Sequence, residues 1–177
     1  MKIKSFCGLI PGEGRAEGVA SVPYDVVDTH EAREIAEGNP DSLLHVSRSE
    51  IGLPDGSNPY SEEVYSRAKN NFERMVQSGA LVRESQSCMY LYRQTMGNHS
   101  QVGLVAVAHV DEYENEVILK HEKTRPIKED DRTRIASELG AHLGPVFLTY
   151  RGREEIDDEV ATVVDKALPD TSFIADD

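Results

Sequence analysis

The chain has 177 residues, enough for one domain with a hydrophobic core that needs no disulfide or metal to hold it together. Its formal net charge is −13 and its 19 basic residues are scattered among 32 acidic ones, which argues against nucleic acid as a partner because phosphate binding needs clustered cations. No apolar run could span a membrane and no signal-peptide pattern is present, so we expect a cytoplasmic chain without a membrane partner. Cys7 and Cys88 lack metal-binding spacing, and we expect both to be reduced thiols.

The N-terminal quarter combines turn residues with short apolar runs. Ser21–Val27 contains a proline followed by aromatic and β-branched residues, which favours extended, pleated geometry. Asp28, with Glu31 three residues later, predicts a capping box at the start of a helix that ends at Glu37. Leu43–Val46 is a short apolar run typical of a buried strand.

The middle of the chain contains the most regular pattern. Apolar residues recur at spacings of three and four over residues 61–78, which predicts a helix that ends at Gly79. Strands are predicted at Met89–Tyr92 and Val102–Val110, joined by a polar turn, and a third strand at Val117–Leu119. The second of these strands alternates small and branched residues, so we expect it to be central in its sheet.

Helices and strands are predicted to alternate in the C-terminal third. A helix capped by Asp130 or Asp131 extends to residue 143, a strand follows at 146–150, and a second helix covers 157–168. Residues 172–175 begin a further strand, which predicts that 1–177 is a single domain and an N-terminal fragment of a longer protein. The fold class predicted from these elements is α+β, with a mixed or mainly antiparallel sheet of about four to six strands and three or four helices.

Ionisable residues of both signs are concentrated between His121 and Arg132, directly after a predicted strand. Glu122 beside His121 forms the minimal pair for general acid–base catalysis, because a carboxylate can fix the tautomer of an imidazole. The N-terminus of the following helix would add backbone donors for an anion. Four basic side chains of this run could bind the same anion: Lys123, Arg125, Lys128 and Arg132. The alternative is a solvated turn held by surface ion pairs.

Two other groups of polar residues are candidates for binding. The turn Pro23-Tyr24-Asp25 could contact a substrate, with Asp25 binding a metal or a hydroxyl group, although the same residues suit an ordinary Asx-type turn. His45 and Arg48 follow Asn39-Pro40, but a single histidine on a strand is more often a core residue than a ligand. The remaining histidines show no spacing typical of a zinc site.

Several segments resemble a bacterial and archaeal family known as domain of unknown function 1015. In chain order they are SVPYDVV, EGNPDSLLHVSR, MYLYRQ, GLVAVAHVDEYENEVILKHEKTRPIKEDDR and GPVFLTY, and they cover about Val19 to Tyr150. The positions that carry the resemblance residue by residue are Pro23, Tyr24, Asp25, Asn39, Pro40, His121, Glu122, Thr124 and Arg132. Members of the family carry a downstream motif similar to ADGHHRYE, which resembles the catalytic loop of the ParB and sulfiredoxin superfamily, whereas this chain has no GHHR sequence.

The resemblance implies phosphoryl chemistry, because some relatives in that superfamily hydrolyse nucleotides or phosphorylate small molecules. We therefore expect the full-length protein to be a phosphotransferase or hydrolase acting on a small molecule, with ATP or another nucleotide as ligand and Mg²⁺ bound through Glu122 or Asp131. Glu122 and His121 are the catalytic candidates. The candidates for binding substrate or phosphate are Tyr24, Asp25, Thr124, Arg125, Lys128 and Arg132. The alternative is a non-catalytic ligand-binding or scaffold module.

The two most distinctive segments are expected to form one site. His121 and Glu122 should lie at the end of the strand that begins at Val117, partly exposed in a concave surface that Asp25 approaches. Because the GHHR sequence is missing, the chain alone is expected to show little or no turnover.

Overall fold

A computed structural model describes residues 1–121 and 123–175. The chain divides into two compact units. The first unit comprises the described residues among 1–8, 83–123 and 145–172, and the second comprises those among 9–82, 124–144 and 173–177. That residues 1–177 form one domain of a longer protein stays a prediction.

The chain combines helices with short antiparallel strands, each grouped in runs along the sequence, which confirms the predicted α+β class. In the described residues the strands are β1 (Ile3–Lys4), β2 (Leu9–Pro11), β3 (Leu81–Arg83), β4 (Tyr90–Met96), β5 (His99–Val105) and β6 (Val107–Ala108). The helices are α1 (Ala16–Val19), α2 (Thr29–Ile35), α3 (Leu44–Ser47), α4 (Glu62–Gln77), α5 (Val110–Glu114), α6 (Pro126–Leu139) and α7 (Glu154–Lys166), with a 3₁₀ turn at Ser49–Gly52. The four predicted helices correspond to α2, α4, α6 and α7, whereas the short helices α1, α3 and α5 were not predicted.

The hydrophobic core lies in the second unit. Every apolar side chain that is buried in the described part of the chain belongs to this unit. One cluster packs α4 against the β2–β3 strand pair and consists of Val19, Val46, Phe72, Met75, Ala80 and Leu81. A second cluster packs α2 against the 3₁₀ turn and consists of Ala32, Ala36, Leu44 and Ile51.

Helix α4 confirms the strongest sequence pattern. Acidic residues occupy its first turn and Arg74 its last, an arrangement that the helix dipole favours. Gly79 follows with φ of +74°, a left-handed conformation that a residue without a Cβ adopts at little cost. The predicted apolar stripe is buried at Val64, Ala68, Phe72 and Met75, whereas Val76, also assigned to it, is 41% exposed.

Helix α2 begins at the predicted capping box. The Asp28 carboxylate accepts from the backbone N–H groups of His30 at 2.8 Å and Glu31 at 2.9 Å, and the Glu31 carboxylate accepts from the Asp28 N–H at 2.8 Å. These backbone donors lower the pKa of Asp28, with the Glu31 N–H having the largest effect. The helix ends at Ile35, two residues before the predicted end at Glu37.

The predicted strand at Leu43–Val46 is wrong, because these residues form the start of α3 and its first turn. Burial was predicted correctly, since Leu44 and Val46 have no exposed surface. Leu44 packs into the cluster with α2 and Val46 into the cluster with α4, so the segment is covered on both sides. A run of apolar residues buried on both sides has the same pattern in a short helix and in a strand. His45 therefore lies on a helix.

The first unit is built around a hairpin. β4 and β5 pair antiparallel from Tyr90 opposite Val105 to Met96 opposite His99, which confirms the two predicted strands and their polar turn. β6 pairs with β1, and β5 pairs only with β4 within the described residues, so the prediction of a central strand is wrong. Six strands are described, as predicted, but they form three separate pairs rather than one sheet.

Three other predicted strands are not formed, and the segment expected to be extended contains a turn. Residues 24–27 form turns and bends, with a hydrogen bond from the Val26 N–H to the Pro23 carbonyl at 3.2 Å. Residues 117–119, 146–150 and 172–175 pair with no other strand in the described ranges. Short apolar runs form strands only where another strand edge accepts their backbone hydrogen bonds, and none does so here.

Candidate functional site

A small cavity lies in the second unit between the N-terminal turn, the 3₁₀ turn and helix α6. Its volume is about 80 Å³. Pockets that enclose a whole drug-sized ligand have about 300–1,000 Å³, so this cavity has room for a single chemical group. It is lined by Tyr24, Thr29, Ser47, Arg48, Ser49, Glu50, Pro59, Tyr60, Val64, Lys128, Asp131, Arg132 and Ile135.

Helix α6 presents one face to the cavity. The helix begins at Pro126, four residues earlier than predicted, and Arg125 is its N-cap. The predicted cap at Asp130 or Asp131 is wrong, because proline at the first helical position starts the helix and places both aspartates inside it. Cavity-lining residues then recur at spacings of three and four along one face: Lys128, Asp131, Arg132 and Ile135.

Two cations of α6 stack on Tyr24. The guanidinium carbon of Arg132 lies 4.0 Å from the centroid of the Tyr24 ring, and the Lys128 Nζ lies 5.6 Å from it. Each contact is a cation–π interaction, worth about 0.5–2 kcal/mol depending on exposure. Within the described ranges, Lys128 has no carboxylate within ion-pair distance. The structure therefore brings together three of the predicted binding residues, Tyr24, Lys128 and Arg132.

A buried carboxylate holds Arg132 in place. Asp131 is 6% exposed and its Oδ2 accepts from the Arg132 Nε at 3.0 Å and from Nη2 at 2.5 Å. Its Oδ1 accepts from the Tyr65 hydroxyl at 2.9 Å, which connects α6 to α4. Two donors on two different oxygens fix the carboxylate and, through it, the guanidinium that faces the cavity.

The same hydrogen bond perturbs Tyr65. Burial first, and then the hydrogen bond to Asp131 and the negative charge of Asp131, raise the pKa of Tyr65 to about 12. A phenol whose folded-state pKa exceeds its ordinary value of 10.0 stabilises the fold below pH 10, and this contribution is lost as the pH rises through the folded-state pKa.

We expect the free energy of unfolding to fall between about pH 10 and 12, and we expect Tyr65→Phe to remove a large part of this dependence. Urea unfolding at a series of alkaline pH values measures the effect. Tyr92→Phe, which changes a 57% exposed tyrosine, is the matched control and should keep the wild-type dependence. An unchanged pH dependence in Tyr65→Phe would contradict the assignment.

The opposite wall of the cavity carries an ion pair that the sequence did not predict. The Arg48 Nε lies 3.1 Å from the Glu50 Oε1, with side-chain exposures of 15% and 8%. The Arg48 Nη2 donates to the Thr29 hydroxyl at 3.2 Å. Arg48 was named among the candidates and Glu50 was not, because Glu50 follows Ser47-Arg48-Ser49 in a polar stretch without a recognisable motif.

The lining of the cavity has a positive balance. Its charged residues are Arg48, Lys128 and Arg132 on one side and Glu50 and Asp131 on the other, three cations against two carboxylates. The sign of this balance is opposite to that of the net charge of the chain, which is −13.

The other predicted site residues lie outside this cavity. Asp25, Thr124 and Arg125 are exposed and do not line it. His121 is exposed and belongs to the first unit, and Glu122 lies outside the described residues. The predicted position of the histidine at the end of a strand is wrong, because residues 117–119 form no strand.

Two members of the third candidate group, Asn39 and His45, make structural contacts. The His45 Nε2 lies 3.0 Å from the Asn39 carbonyl oxygen, and the Asn39 side chain donates to the Gly18 carbonyl at 2.8 Å. Both contacts hold the turn before α3, which favours a structural role for His45.

Neither a metal-binding cluster nor a membrane-spanning helix is present in the described residues. No three His, Cys, Asp or Glu side chains in residues 1–121 and 123–175 come close enough together to bind a metal ion. No helix in this part of the chain is long and apolar enough to cross a membrane.

Comparison with known proteins identifies a family but no activity. A family model described as "Protein of unknown function (DUF1015)" matches residues 3–177, which is essentially the whole chain and confirms the family resemblance. No curated protein and no solved structure matches the chain. The relation to the ParB and sulfiredoxin superfamily stays a prediction.

Proposed function

The chain belongs to the DUF1015 family, whose description assigns no activity, and from its cavity we propose that it binds the phosphoryl group of a small molecule. The observation that carries this proposal is the stacking of Lys128 and Arg132 on Tyr24 at the edge of a cavity with a net positive lining. Lysine and arginine are the side chains that most often bind phosphate, lysine as a point charge and arginine through paired donors.

The size of the cavity favours one group over a whole nucleotide. About 80 Å³ accommodates a tetrahedral oxyanion, so the rest of the ligand would lie outside the cavity mouth. ATP or another nucleotide could bind in this way through a terminal phosphate, and so could a smaller phosphorylated molecule. Nucleic acid is disfavoured because the net charge of the chain is −13.

Phosphoryl transfer is proposed as the activity of the full-length protein. This chemistry depends mainly on positioning and on positive charge around the phosphoryl group, and the positive balance of the cavity lining supports the proposal. A base and a metal are also needed, and His121 with Glu122 stays the predicted acid–base pair. The Asp131 oxygens already accept from Tyr65 and Arg132, which leaves Glu122 as the better of the two candidates for Mg²⁺.

A non-catalytic binding module is the alternative function. The two carboxylates in the cavity lining, Glu50 and Asp131, each lie within ion-pair distance of an arginine. Because a carboxylate in an ion pair is a poorer base, this arrangement favours binding without catalysis. Both functions require phosphate binding, and only the enzyme turns over a phosphorylated substrate in the full-length protein.

We expect Lys128→Met to weaken the binding of inorganic phosphate by about tenfold, since a charge-assisted contact contributes about 1.5–3 kcal/mol and 1.4 kcal/mol corresponds to a factor of ten. The fold should be unchanged because Lys128 has no ion pair to lose among the described residues. The dissociation constant is measured by ³¹P NMR titration or calorimetry at low salt.

Lys69→Met provides the matched control. Lys69 is an exposed lysine on α4 that does not line the cavity, and its substitution removes the same charge. Phosphate binding that is equally weakened by both substitutions would show a general charge effect. An absence of phosphate binding to the wild-type chain would reject the proposed function.

A further inference from the structure

Glu50 is a buried carboxylate without a hydrogen-bond donor. Its side chain is 8% exposed and lines the cavity. The Arg48 Nε lies 3.1 Å from the Glu50 Oε1, but the two are not aligned for a hydrogen bond, and this Nε is a buried donor without a partner in the described structure. No other donor of the described chain reaches the Glu50 carboxylate.

An ion pair without hydrogen bonds leaves the hydrogen-bond acceptor sites of the carboxylate unoccupied. The charge of Arg48 stabilises the ionised form of Glu50, but a carboxylate can accept about four hydrogen bonds. Leaving a buried polar group unsatisfied is unfavourable, and it is more unfavourable for a charged group. A buried acceptor that lines a cavity therefore indicates a donor on whatever binds there.

The same wall also carries unsatisfied donors. The Ser47 Oγ and the Arg48 Nε are both buried and have no hydrogen-bond partner among the described residues, although the Arg48 Nε is in an ion pair with Glu50, and both residues line the cavity. They complement the oxygens of an anion, whereas Glu50 repels an anion and complements a donor. One ligand satisfies both requirements if it carries an anionic group and a donor close together.

We infer that the ligand carries a hydroxyl or ammonium group within a few bonds of its phosphoryl group, and that Glu50 binds this donor. The inference rests on the proposed function, because it assumes that the phosphoryl group lies between Ser47, Arg48 and Lys128. It names the class of ligand: phosphorylated alcohols or amines with a free donor, as opposed to simple alkyl phosphates.

Three probes of nearly equal shape test the inference. Propyl phosphate, 2-hydroxyethyl phosphate and 2-aminoethyl phosphate differ only in a terminal methyl, hydroxyl or ammonium group. We expect at least one of the two donor-bearing probes to bind the wild-type chain roughly tenfold more tightly than propyl phosphate, because only a donor satisfies the buried carboxylate. The tighter of the two identifies the donor as hydroxyl or ammonium.

Glu50→Gln tests whether Glu50 is the residue that discriminates. The amide keeps the shape of the side chain and removes its charge, so the preference for the ammonium probe over propyl phosphate should fall to within about twofold. Glu63→Gln makes the same change at an exposed position on α4 and should keep the wild-type preference. Thermal unfolding of both variants shows whether the fold is intact, and the wild-type titrations still test the donor preference itself if Glu50→Gln does not fold.

The possible results distinguish a failure of the donor preference from a failure of phosphate binding, on which the inference rests. If inorganic phosphate binds and the three probes bind equally well, the inference is overturned and the phosphate site remains. An ammonium preference that persists unchanged in a folded Glu50→Gln variant, or a hydroxyl preference that persists unchanged in a folded Glu50→Leu variant without an acceptor, overturns the role of Glu50. If neither phosphate nor any probe binds, the proposed function fails first.

Discussion

Asp131→Ala should destabilise the second unit by about 3–5 kcal/mol, the usual effect of removing one partner from a buried ion pair. The substitution leaves the Tyr65 hydroxyl without its acceptor and the Arg132 guanidinium without its counter-charge. Urea unfolding followed by circular dichroism measures the loss. Asp131→Asn should lose less, because an amide oxygen can still accept from Tyr65 while the charge on Arg132 stays uncompensated.

The neighbouring aspartate provides the control for this prediction. Asp130 is exposed on the same helix, and Asp130→Ala should change the free energy of unfolding by no more than about 0.5 kcal/mol. Equal effects of the two substitutions would mean that Asp131 is a solvated helix residue like its neighbour. Equal effects would also contradict the proposal that Asp131 positions Arg132 for an anion.

Leu44→Ala should destabilise the second unit by about 2–5 kcal/mol, because the side chain has no exposed surface and its removal leaves a cavity in the cluster with Ala32, Ala36 and Ile51. Alanine is a better helix former than leucine, so a lower helix propensity cannot explain the loss. Guanidinium unfolding at neutral pH is the measurement. Ile35→Ala, at a position that is 49% exposed on α2, serves as control and should have a clearly smaller effect. A loss below about 1 kcal/mol in Leu44→Ala would contradict the packing of α3.

Local signals in the sequence predicted the local structure correctly. The capping box at Asp28 and Glu31, the stripe of α4 and the β4–β5 hairpin each depend on residues within a few positions of one another. Such patterns specify an element almost independently of the rest of the fold.

Elements that depend on distant partners were not predictable in the same way. Residues 43–46 form a helix because two clusters enclose them, and no local pattern distinguishes this from a buried strand. Residues 117–119 and 146–150 have the composition of strands, but a strand also requires a pairing edge. At α6 two signals competed, and proline at the first position determined the start rather than an aspartate cap.

In the candidate site, too, residues with a local sequence signal were predicted and residues brought together by distant contacts were not. The charged run before and within α6 was recognised, and Tyr24, Lys128 and Arg132 do lie together. Glu50 and Ser47 were missed because they become part of a cavity only when the 3₁₀ turn and the end of α3 lie near α6, far away in sequence. The His121–Glu122 pair stays a prediction.

The location of the buried apolar residues determines what an unfolding experiment on this chain reports. Since these residues all belong to the second unit in the described part of the chain, the cooperative transition should be that of the second unit. The β4–β5 hairpin is held by its cross-strand hydrogen bonds and by contacts of Tyr90 with Phe6 and Gly8, and a two-stranded hairpin is marginal by itself in water. Its amide protons should therefore exchange through local opening, at rates that are insensitive to substitutions in the core.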